Sequence, residues 1–409
     1  MRLQIDSEYE RLEAVLVHRP GPEILRLTHQ NMRAFLFEDI PFLRRMQDEH
    51  DAFVAVMRAE GIQVVFAEDL LLDIVQDESA RASLVRAVVQ QAGVPAIGEE
   101  LASLRHWGPK ELVELLYAGL TAEEFYHVHG RRVPPARGRA EFLIDPIPNA
   151  YFARDAAVVV RDAAVLCKMH YPQRVRETTL IAAIFEHHPE FRDAAIAYGG
   201  TSEPTEDRPY TIEGGDVIIL SPEAVLVGDS ERTRSATIEL LAAKCFKFGR
   251  VQRVYEVPIP TERSFMHLDT VFNILDRGLV LWHAEVMENL PYIHRYEPNP
   301  SFATRAVRVP EPRGIREILA DEFGGELTVV ETAGGSRHFA AREQRSDGAN
   351  AFSIAPRTAV CFERNELTIR ALEQQGIRCI AIKDSELVRG LGGPRCMTMP
   401  LRRGGGHSP

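Results

Sequence analysis

The chain has 409 residues, 45% of them hydrophobic and 26% charged, with a formal net charge of −11. That length suits more than one domain and the composition a soluble globular protein, while the acidic balance argues against a nucleic-acid binder and suits a small cationic substrate. No window reaches the roughly 18 consecutive apolar residues of a membrane span, and Met1–Val15 has no apolar stretch of the kind a secretory signal needs.

In chain order, Leu12–His18 reads as a strand, Met46–Glu60 as a helix and Gln63–Ala67 as a second strand, with the first strand of this unit undefined. Residues 70–140 then lack β-branched alternation. Leu70–Val75, Ala80–Ala92, Glu99–Leu104, Lys110–Ala118 and Ala122–Tyr126 read as helices of an all-helical insertion, followed by a Pro- and Gly-containing loop at Val133–Gly138. After it one local pattern recurs, in which two short apolar runs flank a turn and a helix and a further run follow. Ala156–Val160 and Ala163–Cys167 flank Arg161-Asp162 and lead to a helix at Arg176–Glu186. Asp216–Leu220 and Ala224–Gly228 flank Ser221-Pro-Glu223, with a helix at Glu231–Phe248 and a strand at Val251–Val257. Val271–Leu275 and Leu279–Trp282 form a further hairpin. Ala351–Ile354 and Thr358–Phe362 precede a helix at Glu366–Gln375 and a strand at Arg378–Ile382. Short β-branched runs bounded by Pro, Asp and Gly are hairpin signals. Ile238, Leu241, Cys245 and Phe248, at helical spacing, read as one buried face. Such units cannot bury both faces alone and must share a core. Arg402–Pro409 is Gly-rich and is expected to be disordered.

Five cysteines (Cys167, Cys245, Cys361, Cys379 and Cys396) are odd in number, scattered and free of any CxxC pair. Neither a zinc knuckle nor a disulfide framework is indicated, and a reducing cytoplasm fits best. Cys245, Cys361 and Cys379 lie inside apolar periodic segments and read as small buried hydrophobes. Cys396 differs, because it follows Gly392-Gly393-Pro394 in a loop beside Arg395. Backbone donors and a nearby cation favour the thiolate, the reactive form.

Polar clusters stand where other apolar runs begin: Asn149 to Asp155, Glu213-Gly214-Gly215-Asp216, and Met266-His267-Leu268-Asp269. Cysteine, histidine and carboxylate are the parts of thiolate catalysis. Asp216 reads equally well as a turn acid bonding its own backbone. Asp155, Glu213 and Asp269 near one histidine would repel one another unless a cation sat among them. A metal is one candidate and a planar guanidinium the other. His127, His129, His187 and His188 read as surface histidines, which weakens a metallohydrolase reading.

Taken together, these segments resemble the arginine deiminase family of the guanidino-group-modifying superfamily, nearly end to end. The similarity is carried by Arg19-Pro20-Gly21, Phe35-Leu-Phe-Glu-Asp39, Asn149 to Asp155 (with Ala153 where the family usually has Thr), Glu213 to Asp216, Gly228 to Arg232, Met266 to Phe272, Arg342-Glu-Gln344 and Gly392 to Pro400. The resemblance implies an α/β fold, a five-bladed propeller (pentein) of ββαβ units over 1–69 and 141–409, with the helical insertion at 70–140. It implies hydrolysis of L-arginine to L-citrulline and ammonia through a thiouronium on Cys396, with no metal or other cofactor. It further implies that His267 moves protons with Glu213 as partner, that Asp155 and Asp269 clamp the guanidinium, and that Asn149, Arg174 and Arg232 hold the α-carboxylate. A homo-oligomer, dimer or tetramer, is expected, with no nucleic acid or membrane partner. Leu391 stands where the family usually has an arginine on a loop that closes over the site, so a cation is missing near the carboxylate end. The alternatives are an amidinotransferase, a hydrolase of methylated or decarboxylated arginine, or an inactive homologue that only binds.

Overall fold

The computed structural model describes residues 1–135, 141–199, 210–302 and 304–404. The strands Ala157–Val160, Ala163–Leu166 and Leu279–Trp282 are buried along their whole length. Runs that are apolar on both faces must be covered on both, which explains why they do not alternate with polar residues.

Four segments repeat one arrangement. An antiparallel hairpin is followed by a helix and then by a strand that pairs parallel to the hairpin's second strand. Ala157–Val160 pairs with Ala163–Leu166, helix Val175–His187 follows, and Ala195–Tyr198 completes the sheet. Val217–Ser221 pairs with Ala224–Asp229, helix Ser235–Lys247 follows, and Arg253–Pro258 completes it. Phe352–Ala355, Thr358–Phe362, helix Glu366–Gln374 and Arg378–Ile382 form the third copy. In the fourth, Phe272–Asp276 and Leu279–Trp282 are completed by Thr328–Glu331 after helix Ile315–Phe323. An additional hairpin between them, His294–Pro298 with Ala306–Pro310, extends the neighbouring sheet to five strands.

The fifth copy has the same arrangement but spans the two ends of the chain. Leu12–Val17 is the middle strand, helix Leu43–Ala59 follows, and Gln63–Phe66 pairs in parallel. The missing first strand is Met399–Arg403, antiparallel to Leu12–Val17. Arg402 and Arg403 therefore belong to a sheet, not to a disordered tail, and Arg403 is buried. Residues 405–409 of the expected tail and 136–138 of the expected loop lie outside the described residues, and 133–135 carry neither helix nor strand.

Residues 67–129 are helical, apart from short connections, as five helices and one 3₁₀ turn. One correction is the short strand Leu120–Thr121, which pairs with Phe142–Ile144. Gly119, with φ of +73°, ends the preceding helix, and Thr121 then opens the next with a capping box to Glu124. Leu71, Leu84, Leu112 and Phe125 share one apolar cluster with Val158, Val165 and Leu241, so the helices pack directly on the sheets. The helix expected from Glu231 begins only at Ser235. Ser230 Oγ accepts the N–H groups of Arg232 and Thr233 at 3.0 and 3.1 Å, a local turn that competes with the helix. Phe248 lies beyond the helix end and is exposed, with the Arg250 guanidinium 4.8 Å from its ring. Among the described residues no helix is long and apolar enough to cross a membrane.

Candidate active site

Each unit contributes polar residues just before its first strand. Asp155 precedes Ala157–Val160, Glu213 and Asp216 precede Val217–Ser221, and His267 and Asp269 precede Phe272–Asp276. Asn350 precedes Phe352–Ala355, and Cys396 precedes Met399–Arg403. Pairing into the sheet fixes the backbone immediately downstream, so these side chains sit on rigid supports. All of them are buried.

The structure brings the expected residues into one cluster. Cys396 Sγ lies 3.7 Å from Asp269 Oδ2. His267 Nε2 lies 2.7 Å from Glu213 Oε2, and its Nδ1 lies 3.7 Å from Asp155 Oδ1. Gly215 allows this approach, since a Cβ there would stand 2.8 Å from the His267 ring. The Cys396 N–H donates to Asn350 Oδ1 at 3.0 Å, and Asn350 Nδ2 donates to the Asp269 carbonyl at 3.0 Å. A Cβ on Gly393 would meet Asn350 at 2.7 Å, so the loop needs glycine there. Asn350 was not singled out from the sequence. Its signal was positional, since it fills the place before the first strand that carries the acids in the other copies.

Asp216 sits one layer behind the cluster. Its Oδ1 accepts the Leu268 N–H at 2.8 Å and its Oδ2 accepts from Ser230 Oγ at 2.7 Å, which pins the turn carrying His267. Burial raises its carboxyl to about 7.

Arg174 and Arg232 are buried. Arg174 forks onto Glu177 at 3.0 and 2.8 Å, while its Nη1 donates to Asp155 Oδ2 at 2.9 Å and lies 3.6 Å from Glu213. Arg232 donates to Glu213 Oε2 at 3.1 Å and lies 4.5 Å over the Tyr171 ring. Asn149 Nδ2 donates to the Phe35 carbonyl at 2.8 Å, which holds the segment Phe35–Asp39 beside the site.

The charges follow from these distances. Burial alone would lower the His267 pKa, but Asp155 and the Glu213 hydrogen bond outweigh it and hold the imidazole up at about 9. Glu213 is held well below the usual carboxylate range, because Arg232 and His267 outweigh its burial. The Cys396 thiol is pushed far up, first by burial and then by Asp269, Asp155 and Asp347. This overturns the expectation that Arg395 activates the thiolate. Arg395 donates to Asp269 Oδ2 at 2.7 Å, the oxygen that the sulfur also faces, and to Glu8 Oε1 at 3.0 Å.

Asp155, Glu213 and His267 also present ligand atoms within 4.8 Å of one another, the spacing that a metal ion would need. The donor set fits an organic cation better. His267 is held protonated, so both ring nitrogens donate, and the acids already face guanidinium groups. The surface reading of the other histidines needs one correction. His188 is buried, with Nε2 3.4 Å from Asp73, because the chain after its helix folds back under Phe191.

Glu8, not singled out from the sequence, joins the N-terminal segment to the site. It is buried, and Arg395, Arg154 and Arg403 outweigh that burial and lower its pKa to about 2. A depressed carboxyl stabilises the fold above its unfolded pKa, and the stability is lost as pH falls through the folded value. Glu8→Gln is therefore expected to cost roughly 3–5 kcal/mol at pH 7, because it strands buried guanidinium groups. In urea unfolding the gap from the unchanged protein should narrow between pH 4.5 and 2. A gap that stays constant down to pH 2 would refute the assignment.

A cavity of about 420 Å³ is lined by Asp347 and by Met266, the residue before His267, with Leu391, Arg263, Arg345 and Glu38 also along its wall, while Cys396, His267, Asp269, Asp155 and Glu213 do not line it. Met266 Sδ accepts from Arg232 Nη2 at 3.8 Å.

Comparison with known proteins gives the family. The family model described as arginine deiminase matches residues 33–403. The chain is 35% identical over 408 residues to the arginine deiminase of Staphylococcus haemolyticus (strain JCSC1435), covering 98% of each chain. It is 34% identical over 409 residues to that of Listeria monocytogenes serotype 4a (strain HCC23), again covering 98% of each. Two solved structures share the mixed α/β fold at low identity. One is an amidinotransferase of the saxitoxin biosynthetic pathway from Microseira wollei, with TM-score 0.54, 14% identity and coverage of 100% of this chain and 99% of that one. The other is a DDAH from Pseudomonas aeruginosa complexed with citrulline, with TM-score 0.54, 13% identity and coverage of 95% and 99%. A thiol, an imidazolium and paired acids set before successive strands, matched to relatives over almost the whole length, place the chain in the arginine deiminase family.

Proposed function

We propose that the protein hydrolyses L-arginine to L-citrulline and ammonia through a covalent adduct on Cys396. The observation that carries this reading is the single buried cluster in which the Cys396 thiol, Asp269, Asp155 and the His267–Glu213 pair converge. Among related guanidines, free arginine suits a site that keeps Arg232 close to the cavity lining, since a cation there can meet a carboxylate.

Asp155 and Asp269 hold the guanidinium nitrogens and keep the group charged, which leaves its carbon electrophilic. Asp269 Oδ1 and Asp155 Oδ1 are buried without hydrogen-bond partners, as suits acids that await donors. The incoming positive charge opposes the very acids that raise the thiol pKa. Two unit charges about 4 Å apart at an effective dielectric near 20 interact by about 4 kcal/mol, or roughly three pKa units. Binding therefore favours the thiolate that burial and these acids disfavour.

The thiol proton passes by way of Asp269 to solvent, where the released ammonia finally takes it up, and Sγ bonds to the guanidinium carbon. His267 protonates one nitrogen, its bond to carbon breaks, and ammonia departs from a cationic thiouronium. Neutral His267 then takes a proton from water as the oxygen attacks. Collapse breaks the C–S bond, returns the thiol and leaves the ureido group of citrulline. Arg174 is the residue most displaced by this scheme, because its guanidinium now faces the acid that the substrate would use. Of Arg174, Arg232 and Asn149, the residues assigned to the substrate's carboxylate end, Arg232 touches the cavity lining at Met266.

The five strand–strand–helix–strand units support a five-bladed propeller, with 1–69 and 141–409 as its catalytic body and 70–140 as a helical insertion. The thiols of Cys245, Cys361, Cys379 and Cys396, outside any disulfide, suit a reducing cytoplasm.

The test is a product assay with arginine. Equal release of citrulline and ammonia supports the reading. A new guanidino compound formed on adding glycine or lysine, without citrulline, would show an amidinotransferase instead. Leu391 in the cavity wall also supports a second reading, a hydrolase of decarboxylated or methylated arginine. A kcat/KM for either of these that exceeds the value for arginine would establish it.

A further inference from the structure

The cavity wall is strongly acidic, as suits a guanidinium, and its only arginines among the described residues are Arg263 and Arg345. Both are tied to one carboxylate. Arg263 Nε lies 3.1 Å from Glu38 Oε1, and Arg345 Nη2 lies 2.9 Å from Glu38 Oε2. Arg263 also donates to the Leu36 carbonyl at 2.8 Å. The three side chains are 41%, 55% and 45% exposed, so the pairing is a weak, solvent-screened one that another carboxylate can replace. Leu391 lines the same cavity, held by a left-handed backbone with φ of +64°, and brings no charge. Deeper in, Arg174 and Arg232 are already engaged by buried acids.

We propose that Arg345 and Arg263 complete the subsite for the substrate's α-carboxylate, with Glu38 marking the place where that carboxylate docks. The inference rests on the arginine reading above and deepens it. The guanidinium enters first and is drawn inward by Asp347 and the acids beyond it. The carboxylate then remains at the mouth, where Arg345 and Arg263 exchange Glu38 for it. A planar fork suits this exchange because it meets a carboxylate through two parallel N–H donors. Arg232 supports the carboxylate from the inner side, past Met266. The cation that Leu391 does not supply thus comes from other residues of the same cavity wall, and the two arginines are specificity determinants that select an amino acid over an amine.

Arg345→Ala, Arg263→Ala and the double variant test this against arginine and against agmatine, which is arginine without its carboxylate. Each single change should raise the arginine KM about tenfold with kcat nearly constant, the pattern of lost uniform binding. The double variant should raise it further, and Arg345→Lys should recover part of the loss. The constants for agmatine, as substrate or as competing inhibitor, should not move. An unchanged arginine KM would overturn the proposal. So would equal losses for arginine and agmatine, which would mark the Glu38 triad as a clasp for its loop alone. Calorimetric binding of both ligands to the same substitutions on a Cys396→Ser background is measured in parallel. It separates a failed subsite from a failed activity, because it needs no turnover.

Discussion

Cys396→Ala is expected to reduce citrulline release from arginine by at least about 10⁴-fold, while arginine binding changes by less than about tenfold. The asymmetry follows from the position of the thiol. Its contact with Asp269 is long, at 3.7 Å, so little binding or folding energy depends on it. Its neighbours in the loop are held by other groups, above all by the Asn350 side chain on the Cys396 N–H. Alanine keeps the clamp and the proton carrier and deletes only the atom that forms the covalent bond. Stopped-time citrulline assays and calorimetric titration of the variant with arginine check both halves. Turnover within tenfold of the unchanged protein would rule out a covalent route through this cysteine.

Asp269→Asn should fail in two ways at once. The carboxylate faces the Cys396 sulfur, and its Oδ1 is buried with no hydrogen-bond partner, so it is placed to take a guanidinium nitrogen. Loss of that charge should lower kcat/KM by about 10³-fold or more, the scale for removing a preorganised electrostatic contact in a dry site. Asp269 also neutralises Arg395, which is 1% exposed and is otherwise paired with Glu8. The asparagine should therefore cost about 3–5 kcal/mol in urea unfolding, as expected for breaking a buried ion pair. Asp155→Asn offers the contrast. Arg174 would keep its fork on Glu177, so activity should fall comparably but stability by only about 1–2 kcal/mol. Equal stability losses in the two variants would show that Arg395 does not depend on Asp269.

Much of the fold was legible residue by residue. The turns at Arg161-Asp162, Ser221-Pro-Glu223 and Ala355-Pro-Arg357 do separate paired strands, and the strand Arg378–Ile382 matches its expected bounds. These features have local causes, since apolar periodicity and turn chemistry act over a few residues. The elements that escaped are those whose partners lie far off in sequence. Met399–Arg403 is a strand only because Leu12–Val17 lies beside it, and Thr328–Glu331 only because Leu279–Trp282 does. Nothing within either short segment announces that pairing. Glu8 and Asn350 escaped for the same reason, because each gains its role from groups on other units.

Residue identity alone singled out Cys396, His267 and the acids as candidates, and the structure brings them together in the order of units read along the chain. That was possible because residue identity and local pattern are written along the chain. Only the tertiary structure decided their charge states and partners. Arg395 was expected to activate the thiol and instead holds Asp269 and Glu8, while burial and the nearby acids push the Cys396 thiol up. Arg174 was expected to meet a carboxylate on the substrate and already faces one of the protein's own. The physical reason is that burial and Coulomb interaction depend on distances through space, which residue order does not specify.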